Sequence, residues 1–240
     1  MNIGEATYKM KRMARQSSGD CDKYSAIAVR GGKAYVTDGR IAIEHTLEGD
    51  AADSHENYPF DAIVKFLNLG DNVKWYKPAS TDVESFEKKM MEIRREADAE
   101  RRQHARDRYE ACRCPNCGAD LFWDEDFERL VDEDGREENE TADFRDYELP
   151  VNIPFKDGDL NINFVYLEQF MKVFGRDIQL AIAYDGETKE ECYKRLMLKT
   201  GDGLTRAILM PLRAVDKKDY KSSNVLHVFA AEGTDGSSKG

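Results

Sequence analysis

The feature that most restricts how this chain can fold is a long run, residues 83–113, that contains neither glycine nor proline. Charged side chains of both signs alternate along it, and this pattern predicts one long, solvated helix. A narrow apolar seam also fits a paired helix of a coiled-coil arm, so both interpretations remain open. The seam consists of Phe86, Met90, Ile93 and Ala97.

A charged helix of this length separates two segments whose apolar patterning is typical of globular structure. Residues 1–78 and 149–213 are predicted to form one or two α+β domains, in which short helices pack on antiparallel sheets. Residues 79–148 are predicted to be a helical insertion. Residues 214–240 are predicted to be a C-terminal extension with a flexible end.

Apolar periodicity and turn residues place the individual elements in these segments. Helices are predicted at residues 5–15, 61–69 and 166–175. Strands are predicted at residues 24–30, 33–37, 40–47, 73–77, 151–155, 160–164, 178–184, 195–199, 205–212 and 225–230. In both segments a short helix precedes strands, which indicates a weak internal repeat.

The net charge of −11 is concentrated in one part of the chain. Residues 120–148 contain fourteen acidic side chains and only three arginines, so this stretch accounts for the entire net charge. The remaining residues are balanced, and local basic faces can therefore still bind phosphate. The acidic stretch itself is poorly patterned, which is typical of partly disordered segments.

The sequence has none of the common catalytic motifs. Gly-x-x-x-x-Gly-Lys-Ser/Thr, Gly-x-Ser-x-Gly and His-Glu-x-x-His are all missing, and the four histidines are scattered singly. The acidic run resembles a solvated patch more than a pair of catalytic carboxylates, so a hidden nuclease is the least favoured hypothesis. We expect a protein that is not an enzyme.

Three cysteines crowd together at the end of the helical run. Cys114-Pro115-Asn116-Cys117-Gly118 has the form of a zinc knuckle, and Cys112 adds a third thiol. The predicted metal ligands of a structural zinc ion are thus Cys112, Cys114 and Cys117. His104 lies about 12 Å further back along a continuous helix, and Cys21 or Cys192 would have to approach by tertiary folding. Sharing of one ion between two chains, as in zinc-hook coiled coils, and a metal-free turn with reduced thiols also remain open.

The composition indicates a soluble, cytoplasmic protein without a membrane partner. The N-terminal segment has no apolar signal-peptide core, and no run of eighteen apolar residues occurs. The five cysteines are not spaced as a disulfide framework.

One short motif stands out in each globular segment. The first reads Val36-Thr37-Asp38-Gly39-Arg40-Ile41-Ala42, and it resembles the Thr-Asp-Gly-(His)-Arg-Leu-Ala turn in the middle domain of the bacterial DNA polymerase III beta subunit, the sliding clamp. The second resembles the Met-Pro-Met-Arg-Leu end of the clamp, and it reads Ile208-Leu209-Met210-Pro211-Leu212-Arg213. Tyr58-Pro59-Phe60-Asp61 and Asn161-Ile162-Asn163-Phe164 followed by Tyr166-Leu167 resemble the beginnings of clamp helices.

The resemblance implies a DNA-clamp-like processivity fold and a DNA-tethering role. It covers residues 1–78 and 149–213, material for about one and a half of the clamp's three domains. The histidine before Arg40 is missing, and Ala214 replaces the terminal leucine. A closed ring would therefore need several copies of the chain, that is, a homo-oligomer.

Clamp helices present lysine and arginine to the phosphates of double-stranded DNA, a contact that is independent of sequence. On the matching helices the implied DNA-binding residues are Lys9, Lys11, Arg12, Arg15, Lys65, Lys172 and Arg176. Without the resemblance, these would be ordinary solvated helix faces.

Clamps also bind short linear motifs of DNA polymerases and of other replication or repair proteins in an apolar pocket. The matching residues here are Gly39, Arg40, Ile41, Met210, Pro211, Leu212 and Arg213. Methionine suits a pocket that accepts several partners, because its side chain is flexible and polarisable. Alternatively, the apolar members are simply core residues of paired strands.

Two functions follow from these patterns. The first is a sliding-clamp-like scaffold that tethers proteins to DNA and recruits replication or repair partners through the pocket. The second is a clamp-derived adaptor that does not encircle DNA and instead oligomerises or binds partners through a zinc-tipped helical arm.

Overall fold

The computed structural model describes residues 4, 8–10, 27–37, 39–49, 51–54, 60–68, 73–110, 122–124, 129–131, 147–156, 158–185, 193–212 and 223–231. Among these residues no helix is both long enough and apolar enough to cross a membrane. The chain divides into two compact units, Met1–Ser85 with Glu148–Gly240 and Phe86–Tyr147. The described part has an α+β fold with antiparallel sheets and helices.

Twelve strands and three helices carry this fold in the described residues. The strands are β1 (Ala28–Arg30), β2 (Lys33–Thr37), β3 (Ile41–Thr46), β4 (Tyr76–Pro78), β5 (Phe122–Asp124), β6 (Arg129–Val131), β7 (Pro150–Phe155), β8 (Gly158–Asn163), β9 (Ile178–Asp185), β10 (Tyr193–Thr200), β11 (Thr205–Leu209) and β12 (Val228–Ala230). The helices are α1 (Phe60–Asn68), α2 (Ser80–Glu110) and α3 (Phe164–Phe174).

Eight of the strands form one sheet, in the order β1-β2-β3-β11-β10-β9-β4-β12. It contains two antiparallel meanders, β1-β2-β3 and β9-β10-β11, which join through β3 and β11. At this junction Thr205 pairs with His45, although 160 residues separate them in sequence. Helical residues 8–10 precede the first meander as α3 precedes the second, so a helix followed by three strands occurs twice.

Helix α1 packs on one face of this sheet, here called the first face. Side chains alternate between the faces along each strand, and Ala42, Met197 and Ile208 lie on this one. They form one buried cluster with the apolar side of α1, which consists of Phe60, Ile63 and Leu67. Because an amphipathic helix must bury its apolar stripe, this packing fixes α1 on the sheet.

Helix α3 and the β7-β8 hairpin pack on the opposite, second face. The ring of Phe174 at the end of α3 stacks on His45, at a centroid distance of 6.3 Å. From the hairpin, Phe155 contacts Tyr76, which is the strand partner of Leu180 on the second face. Nine of the eleven residues of α3 are buried, so this helix belongs to the core along most of its circumference.

The capping of α3 corrects one sequence prediction. Residue 164 was predicted to end a strand, and the helix was predicted to begin at residue 166. Instead, the side chain of Asn163 accepts hydrogen bonds from the backbone N–H groups of Leu149 and Val165, at 3.0 and 3.3 Å. This N-cap starts the helix at Phe164. The apolar run before the helix gave no sign of this boundary, because periodicity cannot separate a buried strand from a buried helix start.

The insertion contains the long predicted helix, and α2 extends over 31 residues, about 46 Å. In the second unit, Tyr147 lies against this helix: its ring is 5.6 Å from the Arg94 guanidinium and 5.7 Å from that of Arg101. The Tyr147 hydroxyl also donates a hydrogen bond to Asp98, at 3.4 Å. Strands β5 and β6 pair in the acidic stretch, where the sequence predicted no strand.

The buried histidine of the sheet junction makes stability depend on pH. The His45 Nδ1 atom is hydrogen-bonded to the Thr205 hydroxyl at 2.7 Å, and the side chain is almost fully buried. Burial lowers the pKa of His45 below its ordinary value of 6.5. The unfolded chain therefore binds the proton more readily, and stability must fall as the pH drops below about 6.5.

We expect His45→Asn, which keeps a hydrogen-bonding group near Thr205, to be less stable at pH 7.5 but also less sensitive to acid. The measurement is the urea midpoint at pH 7.5, 6.5 and 5.5 for both proteins. If the urea midpoints of the unmodified protein and of His45→Asn fall by the same amount between pH 7.5 and 5.5, protonation of His45 does not cause the loss of stability.

Candidate functional site

The turn between β2 and β3 is closed by its own side chains. The Thr37 hydroxyl donates to the Ile41 carbonyl at 2.8 Å and accepts from the Gly39 N–H at 3.1 Å. Gly39 has a φ of 81°, a backbone conformation that disfavours other residues. These bonds hold Thr37, Gly39 and Ile41 together, and the backbone at Gly39 carries no side chain.

The segment after β11 lies directly beside this turn. The Met210 N–H donates to the Arg40 carbonyl at 2.9 Å, which extends the pairing of β11 with β3 by one residue. Pro211 has no N–H group and cannot continue the ladder, so the predicted strand 205–212 ends at Leu209. The Leu212 N–H donates instead to the Asn161 carbonyl in β8, at 2.9 Å. Residues 210–212 therefore connect the sheet with the β7-β8 hairpin.

Three long side chains lie side by side at this end of the sheet. Continuing the strand register places Arg40 beside Met210, and Met210 beside Arg195 of β10. The Arg195 guanidinium donates to the Met210 sulfur and lies 5.5 Å from the centre of the Phe66 ring. The Arg40 guanidinium reaches the Tyr166 hydroxyl of α3, at 3.4 Å. We call Arg40, Met210 and Arg195 the arginine–methionine wall.

A small apolar cavity lies on one side of this wall, between α1 and the first face. Its volume is about 310 Å³, at the lower end of the range for ligand pockets. Besides the wall, its lining consists of Thr37, Gly39, Ile41, Ala42, Ala62, Ile63, Phe66 and Ile208.

A larger and more polar cleft, of about 1230 Å³, lies on the other side of the same wall. It extends along β8 and the beginning of α3, and the segment after β11 forms another side. Besides the wall, its lining consists of Gly39, Glu148, Asp159, Leu160, Asn161, Asn163, Tyr166, Lys194, Pro211 and Leu212. Lys194 is held at the rim by a hydrogen bond from Nζ to the Asp159 carbonyl, at 3.3 Å.

Most residues predicted for a peptide pocket come together here. Gly39, Arg40 and Met210 line both cavities, and Pro211 and Leu212 line the larger one. Ile41 lies in β3 opposite Leu209 and is only 1% exposed, so it belongs to the core at the back of the small cavity. Arg213 lies outside the described residues.

Sequence reasoning missed Arg195, Phe66 and Tyr166 as lining residues. For Tyr166 a signal existed, because it belongs to the segment that resembles a clamp helix. No sequence signal marks Arg195, since only the pairing of β10 with β11 brings it next to Met210.

The structure separates the described members of the predicted DNA-binding set. Lys65 is exposed on α1, which packs on the first face. Lys172 is on α3, on the second face, and its Nζ atom forms an ion pair with the buried Glu168 carboxylate at 2.7 Å. Lys9 belongs to helical residues 8–10, and its positive charge is one of the smaller causes that lower the pKa of His45. Arg176 is exposed just after α3.

Several predicted site residues are outside the described part of the chain. Lys11, Arg12 and Arg15 belong to this group, as do the three predicted zinc ligands, Cys112, Cys114 and Cys117. Within the residues that are described, no group of three or more potential ligand side chains is arranged to hold a metal ion.

A scan against protein-family models, a search of curated proteins and a search of solved structures each found no match to this chain.

Proposed function

We propose that this chain is a sliding-clamp-like scaffold, without enzymatic activity, that tethers partner proteins to double-stranded DNA. One observation carries the proposal: Gly39 and Arg40 share a pocket with Met210, Pro211 and Leu212. These are the two motifs that resemble the clamp's peptide-binding pocket, and some 170 residues separate them along the chain.

The chemistry of the pocket supports binding of a linear motif. An apolar cavity removes a partner side chain from water, and each buried apolar group contributes to affinity in proportion to its area. The Gly39 tip allows close approach of a partner backbone, because no side chain stands there. The partially exposed Met210 can adjust its shape to different partners. DNA polymerases and other replication or repair proteins are the partners that the resemblance implies.

For the DNA contact, we propose a surface that includes Lys9 and Lys172. Helical residues 8–10 and α3 precede the two meanders, and the predicted basic residues Lys11, Arg12 and Arg15 follow Lys9 closely in sequence. Phosphate contacts need only positive charge near the duplex, so they suit a protein that slides. Lys65, on the opposite face of the sheet, would not share this surface.

A ring of several copies is a further element of the proposal, and the outer edge of β1 restricts how it closes. Val29 donates from its N–H to the Ser54 hydroxyl and accepts from the Ser54 N–H, at 3.1 and 2.9 Å. The Gly31 N–H donates to the Asp53 carboxylate at 2.9 Å. Residues 51–54 thus occupy the hydrogen-bonding groups that another copy would need there. We therefore expect subunits to join without pairing at β1.

The test combines DNA binding with charge reversal. We expect the double variant Lys9→Glu and Lys172→Glu to bind duplex DNA about ten-fold more weakly at moderate salt, because two favourable phosphate contacts become repulsive. The slope of log affinity against log salt should become shallower by about one for each lost contact. Fluorescence anisotropy with a labelled duplex of random sequence measures both quantities.

Lys65→Glu is the control, because it reverses the charge of one lysine on the first face of the sheet. It should retain the affinity and the salt slope of the unmodified protein. Equal weakening by Lys65→Glu would contradict the assignment of the DNA-binding side. A monomeric protein without DNA affinity would contradict the clamp proposal as a whole.

The second candidate function is a protein–protein adaptor that acts through the helical arm without encircling DNA. The observation that favours it is the 31-residue helix α2, which ends at Glu110, two residues before Cys112 in the sequence. Here we propose that Cys112, Cys114 and Cys117 bind a structural zinc ion, alone or shared between two chains. Mass in solution with and without a chelator separates the candidates: loss of a dimer on chelation supports the arm, and an oligomer insensitive to chelation supports the clamp.

A further inference from the structure

We propose that the pocket selects a linear motif in which an acidic side chain stands next to a bulky apolar one. The apolar side chain occupies the small cavity, and the carboxylate binds to Arg40 and Arg195 on the arginine–methionine wall. This inference rests on the proposed peptide-binding function and adds to it the chemical class of the ligand.

The first step is the position of the wall. Arg40, Met210 and Arg195 line both cavities, as does Gly39, so a chain that crosses from one cavity to the other passes close to these two guanidinium groups. A side chain in the small cavity and its sequence neighbour in the larger cleft therefore lie on either side of the wall. Adjacent residues of an extended peptide point in opposite directions, which fits this arrangement.

The second step is the chemistry of the small cavity. Ala62, Ile63 and Phe66 of α1 face Ala42 and Ile208 of the sheet, so its lining is predominantly apolar. A cavity of about 310 Å³ takes one bulky apolar side chain more readily than a longer segment. Nucleic acid offers phosphate but no such aliphatic side chain. The occupant that fits both parts of the site is therefore a peptide.

The third step is the charge of the wall. A guanidinium group presents its N–H donors as a planar fork, a geometry that matches a carboxylate with two parallel hydrogen bonds. The ring of Phe66, 5.5 Å from Arg195, and the Tyr166 hydroxyl, 3.4 Å from Arg40, hold the two groups at the wall. Holding them in advance reduces the entropy that a ligand must overcome.

The carboxylate is that of an aspartate or glutamate side chain rather than of a peptide C-terminus. The larger cleft continues past the wall along β8 to Asn161 and Leu212, with a volume of about 1230 Å³. It thus has room for the chain to continue beyond the acidic residue. A site for a terminal carboxylate would not need this extension.

The experiment uses the full chain and four synthetic peptides, acetylated and amidated, that differ only in their central three residues. The central sequences are Asp-Leu-Asp, Asn-Leu-Asn, Lys-Leu-Lys and Asp-Ala-Asp, and a non-amidated peptide ending in leucine is added as a fifth probe. Dissociation constants are measured by isothermal titration calorimetry. We expect Asp-Leu-Asp to bind about ten-fold more tightly than Asn-Leu-Asn, and Lys-Leu-Lys to bind most weakly of the leucine peptides.

Two variants test whether the preference for the acidic peptide depends on the arginine–methionine wall. Arg195→Gln should reduce the preference for Asp-Leu-Asp over Asn-Leu-Asn to about two-fold or less. Arg30→Gln is the matched control, because Arg30 also lies over a phenylalanine ring of α1, Phe60, at 5.4 Å, but lines neither cavity. It should retain the full preference.

The outcomes separate this inference from the function on which it rests. If both uncharged and acidic leucine peptides bind equally, or if only the free C-terminal leucine is preferred, the acidic-motif inference is wrong and the peptide pocket stands. If the leucine peptides bind no better than Asp-Ala-Asp, the peptide pocket itself is contradicted. The peptide series on the unmodified protein decides this even if Arg195→Gln does not fold.

Discussion

Phe170→Ala should lower the free energy of unfolding by about 3–5 kcal/mol, the largest effect that we expect from a single substitution in this chain. Phe170 lies in the middle of α3 and is 0% exposed. Its ring is 5.0 Å from that of Phe174, which in turn stacks on His45 of the sheet. Truncation removes the buried ring and leaves a cavity that the surrounding side chains can fill only in part.

Urea denaturation followed by far-ultraviolet circular dichroism measures this loss as a lower midpoint at an unchanged m value. Phe229→Ala is the matched control, because it makes the same chemical change at a side chain that is 62% exposed on β12. It should change stability by no more than about 0.5 kcal/mol. Similar losses in both variants would mean that α3 does not form part of the core.

Glu44→Gln should destabilise the protein by about 2–3 kcal/mol, the second largest effect. Glu44 is 4% exposed and lies at the centre of a polar cluster on the first face. One carboxylate oxygen accepts from Lys33 at 3.1 Å and from Arg206 at 3.0 Å, and the other accepts from the Tyr35 hydroxyl at 3.0 Å. A neutral amide of the same shape removes the negative charge that attracts these two cations.

Asp61→Asn is the control for Glu44→Gln, because Asp61 also pairs with an arginine, Arg30, at 3.0 Å. That pair is solvated, and the Asp61 side chain is 95% exposed, so its loss should change stability by less than about 0.5 kcal/mol. If the two substitutions have equal effects, burial does not strengthen the Glu44 cluster. The stabilities of the two variants are measured as urea midpoints at neutral pH.

The effect of Glu44→Gln should itself depend on pH. Burial alone would raise the pKa of Glu44, but the charges of Arg206 and Lys33 outweigh burial and lower it below the ordinary value of 4.5. A lowered pKa gives stability that is fully present above about 4.5 and is lost as the pH falls towards the pKa of the folded state. The difference between the two proteins should therefore narrow at acid pH.

Local patterns were sufficient to predict many of the elements. Gly31-Gly32 follows one apolar run and precedes another, and the strand predicted at 33–37 coincides with β2. The amphipathic spacing of Ile63 and Leu67 predicted α1 to within one residue at each end. These elements are encoded by residues a few positions apart, so the local sequence is sufficient to predict them.

Boundaries that depend on tertiary contacts were not predictable. Phe164 became helical because Asn163 caps the helix and also binds the distant Leu149 N–H. The strand β4 was shifted towards Pro78 because it pairs with β12 and β9. In neither case does the local sequence contain the partner that decides the outcome.

In the candidate site, too, the local motifs were predictable and the residues placed by tertiary contacts were not. The Thr37–Gly39 turn and the Met210-Pro211 segment could be singled out because each is a local motif. Arg195 could not, since its place on the wall depends on the register between β10 and β11. The separation of Lys65 from Lys172 was equally hidden, because helical periodicity shows which side of a helix is apolar but not which face of a sheet it covers.

The sequence by itself thus determined the α+β pattern, the turn at Gly39 and the long charged helix of the insertion. Each of these follows from backbone preferences and periodicity over short distances. Only the tertiary structure decided that β3 pairs with β11, since this requires contacts across some 160 residues. That pairing places Arg40 beside Met210, and the pairing of β10 with β11 adds Arg195, so the two pairings together form the wall between the two cavities of the candidate site.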